Sequence, residues 1–375
     1  MVSVGRTLDA MSKENVAVVV GAQGVIGRTL VDHLSALDDW RVVGLSRRPA
    51  ESGWGGRPVR RPTGTPAPST ERVRHISVDL LDPAASRASL AGLSDATHIF
   101  YAAFQDRPTW AELVEPNVAM LVNSVRAIEA AAPGLRHVSL MQGYKVYGAH
   151  LGPFKTPARE DDAGHMPPEF NVTQQEFLES SAGSWTWSAL RPSVVCGFGV
   201  GNPMNLAMVI AVYAAISKEL GLPLRFPGRP GAYDTLLEMT DAGLLARAAV
   251  WAATSPATAN QAFNINNGDL FRWREMWPKI AGWFGLEVAP PLHMPLTDVM
   301  ADKEPLWRRM TERHDLKYGY QDVSSWRFGD AVFSWDYDFF ADGSKARRFG
   351  FHDFVETERM FLDIFENLRR RKVIP

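Results

Sequence analysis

Cysteine is nearly absent from this chain: Cys196 stands alone among 375 residues. A single thiol closes no internal disulfide, which fits a reducing compartment and leads us to expect a cytoplasmic protein. Long apolar runs are absent too. None approaches the roughly 20 residues of a membrane-spanning helix, so no membrane partner is expected. Residues 1–14 lack the apolar stretch of a secretion signal and read as a flexible leader. An excess of either charge is missing. The formal net charge is −2, and nothing electrostatic draws the chain to nucleic acid or an anionic surface. No internal repeat is visible. What remains is an ordinary globular composition, 46% hydrophobic, with length enough for one large domain or two. The exception is a set of 12 tryptophans, which suits either a dense core or an aromatic-lined cavity.

Strand and helix patterns alternate through the first half. Strands are expected at 16–20, 41–46, 74–79, 97–102, 136–141 and 186–191, and helices near 25–36, 84–92, 110–131 and 168–182. Runs such as Val16–Val20 are apolar almost without interruption, as in a parallel sheet covered on both faces. Alternating βα units imply right-handed crossovers, hence an α/β fold with a Rossmann-type, doubly wound parallel sheet. Residues 51–71, rich in Gly, Pro and Arg, read as an exposed insertion containing Arg57, Arg60 and Arg61. Beyond about residue 200 the alternation loosens, with a helix at 205–220, a short strand at 261–266 and an amphipathic last helix at 353–370. We therefore expect a cofactor-binding domain at 15–200. Residues 201–375 would form a C-terminal α/β substrate-binding region that partly returns to the sheet. The 110–131 helix has a face suited to covering the sheet or to pairing two copies in a homodimer.

The first strand enters a turn with glycines at 21, 24 and 27, and an apolar helix leaves it. Glycine lets a backbone approach a pyrophosphate closely, and the helix start offers free N–H groups and the positive dipole end. Gly21, Gln23, Gly24, Val25, Ile26 and Gly27 are the expected contacts. The second strand ends about 20 residues later, where such folds meet the adenosine ribose. An acidic residue there would accept from a free 2′-hydroxyl. This chain has Ser46, Arg47 and Arg48, which suit a 2′-phosphate, so the cofactor expected is NADPH/NADP+.

The fifth strand runs out into Gly143-Tyr-Lys-Val-Tyr147, where strand ends face the nicotinamide. A lysine there can hold ribose hydroxyls, lower a neighbouring phenol's pKa or stabilise an oxyanion. Lys145 is the candidate, with Tyr147 beside it. The sixth strand ends in Arg191-Pro192, whose turn, through Val195, would present backbone groups to a carboxamide.

Together these residues resemble an extended short-chain dehydrogenase/reductase, and within that superfamily the progesterone 5β-reductase and iridoid synthase family. The resemblance runs from Val16 to Pro375 through blocks such as Thr97-His-Ile-Phe-Tyr101, Pro223-Leu-Arg-Phe-Pro-Gly228, Trp326-Arg-Phe-Gly-Asp330 and Val373-Ile-Pro375. It implies an NADPH-dependent reductase that adds hydride to the β-carbon of a hydrophobic, carbonyl-containing enone or enal. It places Asp79 and Leu80 at the adenine, Lys145 at the nicotinamide ribose, and Phe104, Met204, Asn205 and Phe328 around the substrate.

One departure stands out. The family's catalytic tyrosine follows a phenylalanine; here Phe170 matches the phenylalanine and Asn171 stands in the tyrosine's place. An amide donates a hydrogen bond but supplies no proton as a phenol does. An enolate, with delocalised charge, needs that proton less urgently than an alkoxide does. Conjugate reduction therefore suits Asn171 better than carbonyl reduction. Tyr147, Tyr144 or a water held by Asn171 could substitute. If the fifth strand continued through Tyr144 and Lys145, their side chains would oppose each other and favour Tyr147. Carbonyl reduction, non-redox isomerase, cyclase or aldolase chemistry, and an NADP(H)-sensing regulator remain alternatives.

Overall fold

The computed structural model describes residues 14–49, 72–202 and 204–375. The leader through residue 13 and the 51–71 insertion lie outside the described residues. A parallel sheet of seven strands forms the centre. Its strands are β1 (Asn15–Val20), β2 (Trp40–Ser46), β3 (Val73–Ser77), β4 (His98–Tyr101), β5 (His137–Met141), β6 (Thr186–Pro192) and β7 (Gln261–Ile265). Their order across the sheet is β7-β6-β5-β4-β1-β2-β3.

The unbroken apolar run of β1 has a simple cause. Val16, Val18 and Val20 face one core layer and Ala17 and Val19 face the other. On the first side lie α2 (Pro83–Leu90), α3 (Trp110–Ala131) and α4 (Phe170–Ser181). On the second lie α1 (Val25–Ser35) and α6 (Ala242–Thr254), separated in sequence from α1 by α5 (Leu206–Glu219). Leu113, Leu121, Val125 and Ile128 of α3 are buried, so this face of the helix covers the sheet.

The chain order reverses between β1 and β4, which opens a crevice at the carboxyl ends of the strands. Above that crevice sits the second half. Helix α5 is buried along nearly its whole surface, from Leu206 to Ser217. It packs against α7 (Trp273–Phe284), α8 (Trp326–Phe333) and α9 (Thr357–Arg370). The tryptophans serve both purposes that composition allowed. Trp273 and Trp277 are core side chains packed with Phe226, Phe333 and Phe361, and Trp307 is buried against Tyr320, whereas Trp335 faces the crevice. Among the described residues no helix is long and apolar enough to cross a membrane, and no metal-ligating cluster is present.

Three local expectations are corrected. Helix α4 begins at Phe170 rather than 168, because the Glu169 carboxylate accepts the Val172 N–H and caps it there. The last helix begins at Thr357, not 353. Thr357 donates both its N–H and its hydroxyl to Asp269, while the Val355 N–H is spent on the Asn267 carbonyl. The fifth strand stops at Met141. Tyr144–Tyr147 then form one turn of 3-10 helix, so strand alternation does not govern where Tyr144 and Lys145 point.

Candidate functional site

A continuous cavity of about 1020 Å³ runs from the glycine turn, across the strand ends, to an aromatic wall in the second half. At its first end, Gly21 has φ +85°, and a Cβ there would lie 2.8 Å from the Ala102 backbone. A Cβ on Gly27 would lie 2.1 Å from the Gly21 carbonyl oxygen. The first strand, the loop after β4 and the first turn of α1 therefore touch backbone to backbone. Gly24 caps α1 with no side-chain bond, and Gly24, Val25 and Ile26 line the cavity. Uncapped N–H groups at a helix start form an anion-binding position.

Ser46, Arg47 and Arg48 line the same end. Their loop is tied down by its carbonyls. Gln23 Nε2 donates to the carbonyls of Arg48 (3.1 Å) and Pro49 (2.6 Å). The Ser46 hydroxyl also donates to the Arg48 carbonyl, and the Ser77 hydroxyl to the Arg47 carbonyl at 2.8 Å. The guanidinium groups stay exposed, and neither pairs with a carboxylate among the described residues. Leu80, Pro192 and Val195 line the cavity as well, whereas Asp79 does not. Its carboxylate accepts the Leu81 N–H at 3.0 Å and is exposed.

In the middle stands Lys145. Its Nζ lies 4.8 Å from the Trp110 ring, 5.5 Å from Phe104 and 5.8 Å from Phe170, and makes no hydrogen bond among the described residues. Burial lowers its pKa, offset in part by the carboxylates of Glu169 and Asp106. His150 lies against Trp110, with ring centroids 4.6 Å apart, and its Nδ1 has no hydrogen-bond partner among the described residues. Burial first, then the Lys145 charge, push its pKa down to about 4, so the ring is neutral.

Asn171 lines the cavity but is committed elsewhere: its Nδ2 donates to Glu169 Oε1 at 2.6 Å. Tyr147 is not brought to the cavity. Its hydroxyl donates to Asn264 Oδ1 at 2.5 Å and accepts from Arg191 at 3.2 Å, in a buried network behind the site. Burial pushes its pKa up to about 12 against the pull of Arg191. Tyr144 is the tyrosine that faces the cavity, and its hydroxyl donates to Glu238. The preference for Tyr147 over Tyr144 is conditional on the strand continuing through Lys145, and a helical turn stands there instead.

The far wall contains Phe104, Met204 and Phe328, as expected, together with Phe170, Trp335 and Phe339. Trp335 and Phe339 stack with centroids 4.0 Å apart. Asn205 is not part of it. Its side chain caps α5 through the Met208 N–H and holds the carbonyls of Gly197 and Gly199. Trp110, His150, Trp335, Phe339 and Glu238 escaped the sequence reading, since they come from separate segments with no shared spacing.

A family model described as a PRISE-like Rossmann-fold domain matches residues 17–375. An (S)-8-oxocitronellyl enol synthase from Nepeta racemosa is 34% identical, over 96% of this chain and 94% of its own length. A 3-oxo-Δ(4,5)-steroid 5β-reductase from Arabidopsis thaliana is 32% identical, over 98% of this chain and 95% of its own. Among solved structures, UDP-glucose 4-epimerase from Thermus thermophilus in complex with NAD superposes with a TM-score of 0.59 at 19% identity. It covers 94% of this chain and 99% of that one. At that identity the likeness concerns the fold alone.

Proposed function

The chain belongs to the PRISE-like Rossmann-fold family, and on that premise we propose that it is an NADPH-dependent reductase of activated C=C bonds in hydrophobic enones or enals. The observation that carries this reading is one cavity joining an anion-binding turn, an arginine pair, an isolated lysine and an aromatic wall. The relatives' names point the same way: one names a 3-oxo-Δ(4,5)-steroid reductase, the other an enol synthase.

The residues fit the cofactor. The uncapped start of α1, with room above Gly24 where a side chain would project, suits a pyrophosphate. Arg47 and Arg48 suit the 2′-phosphate, and the backbone of Pro192–Val195 the carboxamide. Reduced nicotinamide, when bound, supplies a hydride. Lys145 would hold ribose hydroxyls and offset the negative charge that develops on the substrate oxygen. Phe104, Phe170, Phe328, Trp335 and Phe339 would bury the apolar body of the substrate and exclude water. In this division residues 15–200 serve the cofactor and 201–375 mainly the substrate, although β7 completes the sheet from the second part.

The test is single-turnover NADPH consumption with a panel of small enones. Oxidation by at least one enone is expected. Tight NADPH binding with no oxidation by any of them overturns the reading. The arginine pair gives a second test. Arg48→Ala is expected to raise the NADPH dissociation constant about tenfold at low salt, and the double variant with Arg47→Ala about 10²-fold. The NADH constant should stay within about threefold in both variants. Equal losses for the two cofactors would refute a 2′-phosphate site.

A further inference from the structure

A reductase of this kind makes an enolate, and the position where the family carries its tyrosine holds Asn171, an amide turned toward Glu169. A proton must reach the substrate oxygen from elsewhere. The cavity wall contains another phenol, on a different element. Tyr144 is 3% exposed, on the turn after β5, and lines the cavity. Behind it, out of the cavity, lies Glu238, also 3% exposed, just before the short strand Met239–Asp241. The Tyr144 hydroxyl donates to Glu238 Oε1, and the same oxygen accepts the Ala341 N–H at 2.8 Å. The Glu238 backbone carbonyl is held by the Ser193 hydroxyl at 2.8 Å, and the Phe339 ring lies 5.5 Å from that of Tyr144.

A carboxyl group buried this deeply, with no cation bonded to it among the described residues, has one economical use beside a phenol: to exchange a proton with it. We propose that Tyr144 and Glu238 form the proton relay of this site, with Tyr144 the catalytic residue that protonates the substrate oxygen and Glu238 the positioning and resupplying acid behind it. This rests on the reductase reading above. The step balances without a further reactant. The enolate oxygen takes the Tyr144 hydroxyl proton, and the Tyr144 oxygen takes the Glu238 carboxyl proton. Glu238 is left as a carboxylate and recovers a proton from water. The enol then tautomerises to the saturated carbonyl product.

The electrostatics set the direction of pH dependence. Burial pushes the Glu238 pKa up to about 8, while the hydrogen bonds from Tyr144 and Ala341 pull it down. Asp269 faces Glu238 and opposes its ionisation, and the Asn266 amide lies beside both groups. Tyr147 faces Tyr144, with Arg191 and Glu160 beyond it. Burial raises the Tyr144 pKa well above that of an ordinary phenol, so it stays protonated. Below about pH 8 Glu238 is an acid, can donate to the Tyr144 oxygen, and leaves the Tyr144 hydrogen free for the cavity. As pH rises through that value, the carboxylate takes the Tyr144 hydrogen for itself. Relay function is therefore present on the acid side and lost on the alkaline side.

Two readouts on the intact, NADP+-loaded chain test this. The first uses 4-nitrophenol, whose coloured phenolate mimics an enolate oxygen and needs no hydride transfer. Phenolate affinity should fall as pH rises through about 8. Glu238→Gln should remove that fall, because its amide cannot ionise, and Tyr144→Phe should weaken binding about tenfold. The second readout is single-turnover reduction of an enone, which Tyr144→Phe should slow about 10²-fold, the lower end for a general acid. A phenolate affinity that does not fall, or falls equally in Glu238→Gln, overturns the relay whether or not any enone is reduced. So does a Tyr144→Phe enzyme within twofold of wild type in the second readout. A phenolate response of the expected form with no enone reduced overturns the reductase reading alone.

Discussion

Replacing Lys145 by methionine is expected to slow single-turnover NADPH consumption about 10³-fold, the scale of losing a preorganised charge beside a developing oxyanion. The ammonium group is poised for that task by what surrounds it. Faces of Trp110, Phe104 and Phe170 hold the cation, yet no carboxylate or carbonyl bonds it among the described residues. A charge so placed spends little of its field on protein partners and is shielded from water by the rings. Methionine keeps an unbranched stem for the rings to pack on, so the cavity keeps its shape. NADPH affinity should change by less than about tenfold, since only a ribose contact is lost on the binding side. Stopped-flow absorbance measures the rate, and fluorescence titration the affinity. A methionine variant within fivefold of the wild-type rate would show that the lysine has no chemical role. The wild-type rate should also decline at alkaline pH at a point lower than for an ordinary lysine. Burial lowers the Lys145 pKa, so its charge is present below that value and lost as pH rises through it.

How much of this was legible beforehand follows from the range over which each feature is encoded. Central strands such as β1 and β4 were legible because burial on both sides of a sheet stamps a continuous apolar run on adjacent residues, as in Val16–Val20. The glycine turn and Lys145 were legible because they lie directly at strand ends, where connectivity alone puts them at the crevice. The direction of a side chain after a strand stops was not legible. Period-two alternation ends at Met141, and the helical turn that follows exchanges the places of Tyr144 and Tyr147. Contacts between distant segments left no local mark either. Glu238 lies 94 positions from Tyr144, and its own neighbourhood, Leu237-Glu-Met239, reads as one acid in an apolar stretch. Asn205 misled for a related reason. It belongs to a block bordering the cavity, but an asparagine before a buried helix is needed as a cap, and here that need wins.

The glycine turn carries the second large effect, and its glycines should fail in two different ways. A Cβ on Gly27 would stand 2.1 Å from the Gly21 carbonyl oxygen and 2.9 Å from the Ala22 Cα. Both are backbone atoms, and Gly21 has little room to retreat, since even a Cβ on it would stand 2.8 Å from the Ala102 backbone. Gly27→Ala must therefore push α1 away from β1, opening the core that Leu30, Val31 and Leu34 share with Val19. Overpacking of that kind costs about 1–3 kcal/mol or more, and the variant should melt several degrees lower. Gly24 is different. Its Cβ would meet nothing nearer than 3.5 Å, at the Asn202 amide and the Gly21 oxygen, and its φ of −74° is open to alanine. Gly24→Ala should fold with an unchanged melting temperature. Its methyl group would nevertheless stand on the cavity wall at the cap of α1, where a pyrophosphate must come within hydrogen-bond reach of the helix N–H groups. Losing those charge-assisted bonds should raise the NADPH dissociation constant at least 10²-fold. Thermal melts with and without NADPH separate the two effects. Gly27→Ala is expected to shift the apo melt, and Gly24→Ala to abolish the rise that NADPH confers on an otherwise normal one. A Gly24→Ala protein still stabilised by NADPH as the wild type is would mean that the pyrophosphate does not sit on this turn. The arginine pair would then need another explanation, because its reach to a 2′-phosphate is measured from that anchor.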